Sequence, residues 1–200
     1  MRIRTARHED LDGLTRVLAE AFEGDPLWRW AFPEKQALER WWRFYLASAL
    51  RYPHVSIADD FAAASVWIPP GGEELTPEEE SQIEPLLRDL VGDRTPDILA
   101  LLERFEQSHP HAEEHYYLSL LGTATRHRGR GIGMALLAEN LRSIDEDGAP
   151  AYLESSNPAN DGRYERAGFR RVGAFTTPDS ARTVSTMWRD PPSRGPVPSG

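Results

Sequence analysis

Arg128-Gly129-Arg130-Gly131-Ile132-Gly133 is the stretch on which the rest of the chain turns. Before it lies an apolar run, Tyr116-Tyr117-Leu118-Ser119-Leu120-Leu121; after it comes Met134-Ala135-Leu136-Leu137-Ala138-Glu139-Asn140-Leu141. The pattern predicts a strand, a glycine turn and a helix. Such a turn exposes backbone N–H groups at a helix N-terminus, where four lack an intrahelical partner. That arrangement binds phosphate oxygens, and Arg128 and Arg130 would add charge-assisted hydrogen bonds.

Outward from this turn, the apolar spacing predicts the remaining elements. Arg2–Ala6 alternates weakly, as a first strand does. Leu11, Leu14, Val17, Leu18, Ala21 and Phe22 recur at helical spacing, and Gly24-Asp25-Pro26 ends that helix. Trp28, Trp30 and Phe32 then fall in a loop, and a second helix is expected over residues 34–52. Residues 55–58 and 61–68 form a hairpin around Asp59-Asp60. The acidic stretch 73–114 carries two apolar stripes and reads as a helical insertion. A strand over 150–154, a helix from Asn157-Pro158 to Gly168 and strands at 169–173 and 184–188 follow. The expected architecture is α/β (α+β), a mixed, mostly antiparallel central sheet flanked by helices. It makes one domain over 1–189, with a disordered tail over 190–200 that is rich in Pro, Ser and Gly.

Composition narrows the function. The 200 residues contain no cysteine, which excludes disulfides and thiolate metal sites; with no apolar leader at Met1, a cytoplasmic protein is expected. No apolar run reaches membrane-spanning length. The formal net charge of −9 disfavours nucleic acid and anionic membranes as partners and favours a cation such as an amine. The stretch His109, His111, Glu113, Glu114 and His115 matches no zinc spacing, so no metal is expected. The sequence carries no signal for oligomeric state.

Two phosphate-binding turns compare with the opening stretch. A dinucleotide fingerprint places glycines at relative positions 1, 3 and 6; Gly129 and Gly131 fit, but Met134 takes the third place and too little chain follows. A P-loop needs Gly-Lys-Ser/Thr, which is absent. The remaining pattern, Arg-x-x-Gly-x-Gly at Arg128, Gly131 and Gly133, resembles the coenzyme-A loop of the GNAT superfamily of N-acetyltransferases. Leu121-Gly122-Thr123, Ala151–Pro158, Asn160 and Tyr164-Glu165-Arg166-Ala167-Gly168-Phe169 resemble other parts of that family, as does Ala21-Phe22…Asp25-Pro26…Phe32-Pro33. Within the family the layout is most similar to puromycin-type members, in length, in the helical insertion and in the Tyr-Glu-Arg-x-Gly-Phe ending. Two departures stand out: Asp161-Gly162-Arg163 where relatives carry apolar residues, and Thr125 where proline is common.

The resemblance implies an acyl-CoA fold, acetyl-CoA as co-substrate and acetyl transfer to a primary amine of a small, antibiotic-like molecule. A non-catalytic acyl-CoA sensor of the same fold is the alternative. It further implies that Arg128, Gly129, Arg130, Gly131, Ile132 and Gly133 hold the pyrophosphate. Leu121, Gly122 and Thr123 would pair with the pantetheine arm and supply an oxyanion N–H; Asn160 and Tyr164 would close the site. Tyr164, a phenol protonated at neutral pH, is the candidate general acid. Glu154, at a strand end, is a candidate base beside Asp25, Glu113, Glu114 and His115. Asp25, Trp28 and Trp30 are candidate acceptor contacts, because aromatic walls suit a cationic amine.

Overall fold

The computed structural model describes residues 1–192. A seven-stranded sheet forms the centre: β1 (Ile3–Thr5), β2 (Val55–Ala58), β3 (Ala63–Ile68), β4 (Tyr116–Thr123), β5 (Ala151–Ser155), β6 (Arg170–Thr176) and β7 (Thr183–Arg189). Their order is β1-β2-β3-β4-β5-β7-β6. Only β4 and β5 run parallel; every other neighbour is antiparallel. The mixed, mostly antiparallel sheet is the one expected, and it is not the parallel sheet of a dinucleotide-binding domain.

Helices α1 (Leu11–Phe22), α2 (Pro26–Ala31) and α3 (Lys35–Ala49) cover one face, with α5 (Ile83–Val91) and α6 (Thr95–Ser108) from the acidic stretch. Their apolar sides share one core with Val66 and Leu120, built around Leu14, Leu18, Trp41 and Leu46. A short α4 (Pro77–Glu80) precedes α5. Helix α7 (Ile132–Asp147) covers the other face, burying Leu137, Leu141 and Ile144 against Trp67, Leu118 and Leu153.

Three expectations need correction. The segment holding Trp28 and Trp30 is a helix, because Asp25 accepts from the N–H groups of Leu27 (2.9 Å) and Trp28 (3.2 Å) and Pro26 occupies the first helical position. The Asp-Pro pair thus starts α2 as well as ending α1. The hairpin turn is longer than Asp59-Asp60: Asp59, Asp60 and Phe61 all take positive φ, so β3 begins at Ala63. The helix after Asn157 opens as a 3-10 turn, and α8 proper spans only Asp161–Arg166. Of the tail expected over 190–200, residues 193–200 lie outside the described residues.

Two features of β4 position the site. Val66 pairs with Leu120 and Trp67 with Leu118, so Ser119 is the extra residue of a bulge. The bulge turns the strand over: Leu118 packs towards α7 and Leu120 towards α1. On the other edge, pairing with β5 stops at Leu118–Leu153. Beyond that pair the two strands diverge, leaving Ser119–Thr123 and Glu154–Ser155 facing an opening without ladder partners across it.

Candidate active site

The end of β4 is gripped from both faces. A Cβ at Gly122 would lie 2.8 Å from Leu18 and Ala21, so the glycine lets α1 approach. A Cβ at Gly133 would lie 2.5 Å from Thr123 Oγ1, so a second glycine lets α7 approach the opposite face. Between the two runs the glycine turn. Gly129 (φ 76°) and Gly131 (φ 75°) take left-handed conformations with open space where a side chain would stand. Among the described residues, the N–H groups of Gly129 through Met134 have no hydrogen-bond acceptor, and the first helix-closing bond is Ala135 N–H to Gly131 O. Six consecutive donors at a helix N-terminus form an anion cradle. The donor set fits a pyrophosphate. Arg128 also anchors the turn, donating to Ala21 O at 2.7 Å. The neighbouring Thr125 N–H donates to Glu20 at 2.8 Å.

A cleft of about 660 Å³ opens between the diverging strands and the acidic helices. Asp25, Trp28, Leu121, Glu154, Asn160 and Tyr164 line it together with Glu113, Glu114 and His115, so the structure gathers nine of the sequence-derived candidates. The cradle does not line this cleft; Leu121–Thr123 connects the two. Trp30 is elsewhere, its ring between the guanidinium groups of Arg94 (5.2 Å) and Arg182 (5.5 Å). Trp28 is buried, edge-on to Trp42 (4.6 Å) and stacked with Phe105 (6.2 Å), and forms part of the aromatic wall.

Tyr164 is held despite the short α8. Asn157 caps the preceding turn through Ala159 N–H, and Ser185 Oγ donates to Asp161 at 2.7 Å. At the other end Phe169 N–H donates to Tyr164 O, and the Phe169 ring meets Tyr164 edge-on at 6.2 Å. Burial, and then the Asp25 carboxylate, push the phenol up to about 12. It therefore carries its proton at neutral pH and can donate it. Asp25 is less available for chemistry. It caps α2 and accepts from Ser156 at 2.8 Å, while burial raises its pKa.

Glu154 and two of the clustered histidines form a chain of polar contacts in the cleft. Glu154 has a side chain only 2 % exposed; its Oε2 has no hydrogen-bond partner, and its Oε1 lies 3.7 Å from His109 Nδ1. His109 Nε2 meets His115 Nε2 at 3.2 Å, and His115 Nδ1 faces Glu113 O at 2.8 Å. A carbonyl can only accept, so His115 carries its hydrogen on Nδ1 and takes one from His109 on Nε2. A proton on His109 Nδ1 is then shared with Glu154. Burial pulls the His109 pKa down, but Glu154, Glu74 and Glu106 outweigh it and the net shift is upward. His115, buried and beside His109, is shifted downward.

Glu74 accepts from Ser119 Oγ at 2.5 Å, at the bulge where the strands part. Burial raises its pKa to about 7, with Glu154 adding to the shift. Glu74 sits in a Pro- and Gly-rich stretch with no periodic signal, and only the fold brings it to Ser119. The three histidines were legible as a cluster, but their alignment with Glu154 depends on packing between α6 and β5.

Residues 107–184 match the acetyltransferase (GNAT) domain family. The fold is similar to that of a protein from Corynebacterium glutamicum described as histone acetyltransferase HPA2 and related acetyltransferase. The two are 22% identical, with 98% of each chain covered and a TM-score of 0.67. Arylalkylamine N-acetyltransferase 2 from Aedes aegypti is 14% identical over 94% of this chain and 98% of its own, with a TM-score of 0.68. An agmatine N-acetyltransferase is 18% identical over the same shares, with a TM-score of 0.66. Among the described residues no helix is long and apolar enough to cross a membrane.

Proposed function

We propose that the protein uses acetyl-CoA to acetylate a primary amine of a small molecule, a reading supported by the match of residues 107–184 to the acetyltransferase (GNAT) domain family. The observation that carries this reading is the six-donor cradle at Gly129–Met134 beside the free edge of β4. Bound acetyl-CoA supplies the thioester carbonyl that an amine attacks. The cradle and Arg130 would hold the pyrophosphate, and the unpaired edge at Ser119–Thr123 offers backbone groups to an extended arm. The cleft on the far side of that edge would admit the amine.

The chain's own groups account for the proton transfers. An incoming ammonium loses one proton to Glu154 Oε2, the buried oxygen without a partner. Glu154 passes it to His109, whose side chain is 25% exposed. The freed nitrogen lone pair forms the new C–N bond as the C–S bond breaks, and Tyr164 gives its hydroxyl proton to the departing sulfur. The proton that the product nitrogen then loses restores Tyr164, leaving one proton released per turnover. General acid help of this kind contributes about 10²–10⁴-fold. The antibiotic-like acceptor suggested by the puromycin-type layout is one member of this amine class.

Calorimetric titration with acetyl-CoA and with NAD, followed by thiol release in the presence of amines, tests the proposal. It expects acetyl-CoA binding and amine-dependent thiol release. NAD binding without acetyl-CoA binding would contradict it.

A further inference from the structure

We infer that the acceptor is a linear aliphatic amine carrying at least two ammonium groups, a small polyamine. This rests on the transferase reading and deepens it. Nine of the residues lining the cleft are Asp or Glu, three are His, and none among the described residues is Lys or Arg. Elsewhere Asp10, Glu84, Asp89, Glu139, Asp145 and Asp179 have a guanidinium partner, and acids without one, such as Asp59, Asp60 and Glu78, are not gathered in a cleft. In the cleft, Glu73, Glu74, Glu80, Glu103, Glu113 and Glu114 make no ion pair with a described residue. Like charges gathered in one cleft repel, and water alone screens them poorly where aromatic walls restrict it. The arrangement calls for a cation the protein does not itself supply.

The second observation is Glu154 Oε2, a buried oxygen without a hydrogen-bond donor on a residue that lines the cleft. A carboxylate oxygen left this way is completed by a ligand N–H. Glu154 and Glu74 mark the inner end, where β4 and β5 part, and receive the reacting ammonium. Glu103 and Glu106 on α6 mark the outer end and face a second one. Between them Trp28, Trp42 and Phe105 provide an apolar wall for methylene groups. The volume of about 660 Å³ suits a small flexible molecule.

The test compares spermidine, 1,4-diaminobutane, butylamine, phenethylamine and a lysine-rich peptide as acceptors, following thiol release. The expected result is a kcat/KM at least about tenfold higher for spermidine and diaminobutane than for butylamine at low salt. The gap should narrow as ionic strength rises. In the Glu103→Gln/Glu106→Gln variant the spermidine-to-butylamine ratio should fall towards one, through KM. Butylamine or phenethylamine used as well as spermidine overturns this inference and leaves the transferase reading standing. Acetylation of the peptide alone also overturns it. Acetylation of no amine, with acetyl-CoA bound, overturns both.

Discussion

Replacing Glu74 by Gln removes a charge from the cleft while keeping an oxygen to accept from Ser119. Burial lifts the Glu74 carboxyl from 4.5 to about 7. Carrying the charge there costs at most about 3 kcal/mol, at about 1.36 kcal/mol for each tenfold change in the proton equilibrium. The raised folded pKa fixes the sign. The contribution is most favourable below 4.5, declines as pH rises towards 7, and has been lost above it. Glu154 and Glu106 add to the shift, whereas Ser119 and His109 oppose it. Glu74→Gln should therefore raise the melting temperature at pH 8 by up to about 6–12 °C, at about 2–4 °C per kcal/mol for a chain of this size. At pH 5 the gain should be a small fraction of that. Thermal unfolding followed by circular dichroism at both pH values reads the effect. An equal gain at both, or a loss at pH 8, would refute the argument that Glu74 is a buried, unneutralised carboxylate.

Tyr164→Phe should lower kcat by about 10²–10⁴-fold while acetyl-CoA affinity stays within about threefold; unchanged turnover would remove Tyr164 from the chemistry and favour a non-catalytic sensor. Asp25→Ala should cost about 1–2 kcal/mol through the lost cap of α2, whereas Asp25→Asn should fold normally and turn over within a few-fold of the parent. Turnover abolished by Asp25→Asn would make Asp25 the base instead. Gly133→Ala should destabilise the protein by about 1–3 kcal/mol, because its Cβ meets Thr123 Oγ1 at 2.5 Å. Adding Thr123→Ala should restore most of that loss in chemical denaturation.

The elements around the cradle were legible because their signals are local. Alternation in β4, the glycine turn and the spacing of Leu137, Leu141 and Ile144 each need only neighbouring residues. Asp25-Pro26 was local too but ambiguous, since an acidic residue followed by proline marks both the end of one helix and the start of the next. The bulge at Ser119 was not legible: it exists only against Val66 and Trp67, and nothing in Leu118-Ser119-Leu120 announces it. The same holds for the Glu74–Ser119 bond across 45 residues and for the approach of His109 to Glu154. Tyr164, Asn160 and Glu154 were found through a family resemblance, and their shared cleft needed the sheet. Trp30 lies outside the cleft lining, its ring against Arg94 and Arg182 from distant parts of the chain, a placement that local sequence does not announce.

The central claim is that the free N–H groups of Gly129–Met134 hold the pyrophosphate of acetyl-CoA. Amide hydrogen exchange, resolved by residue, measures those groups directly. On addition of acetyl-CoA the amides of Gly129–Met134 should slow strongly, together with part of Ser119–Thr123, and NAD should leave both unchanged. Tight acetyl-CoA binding with no added protection at Gly129–Met134 would contradict the account.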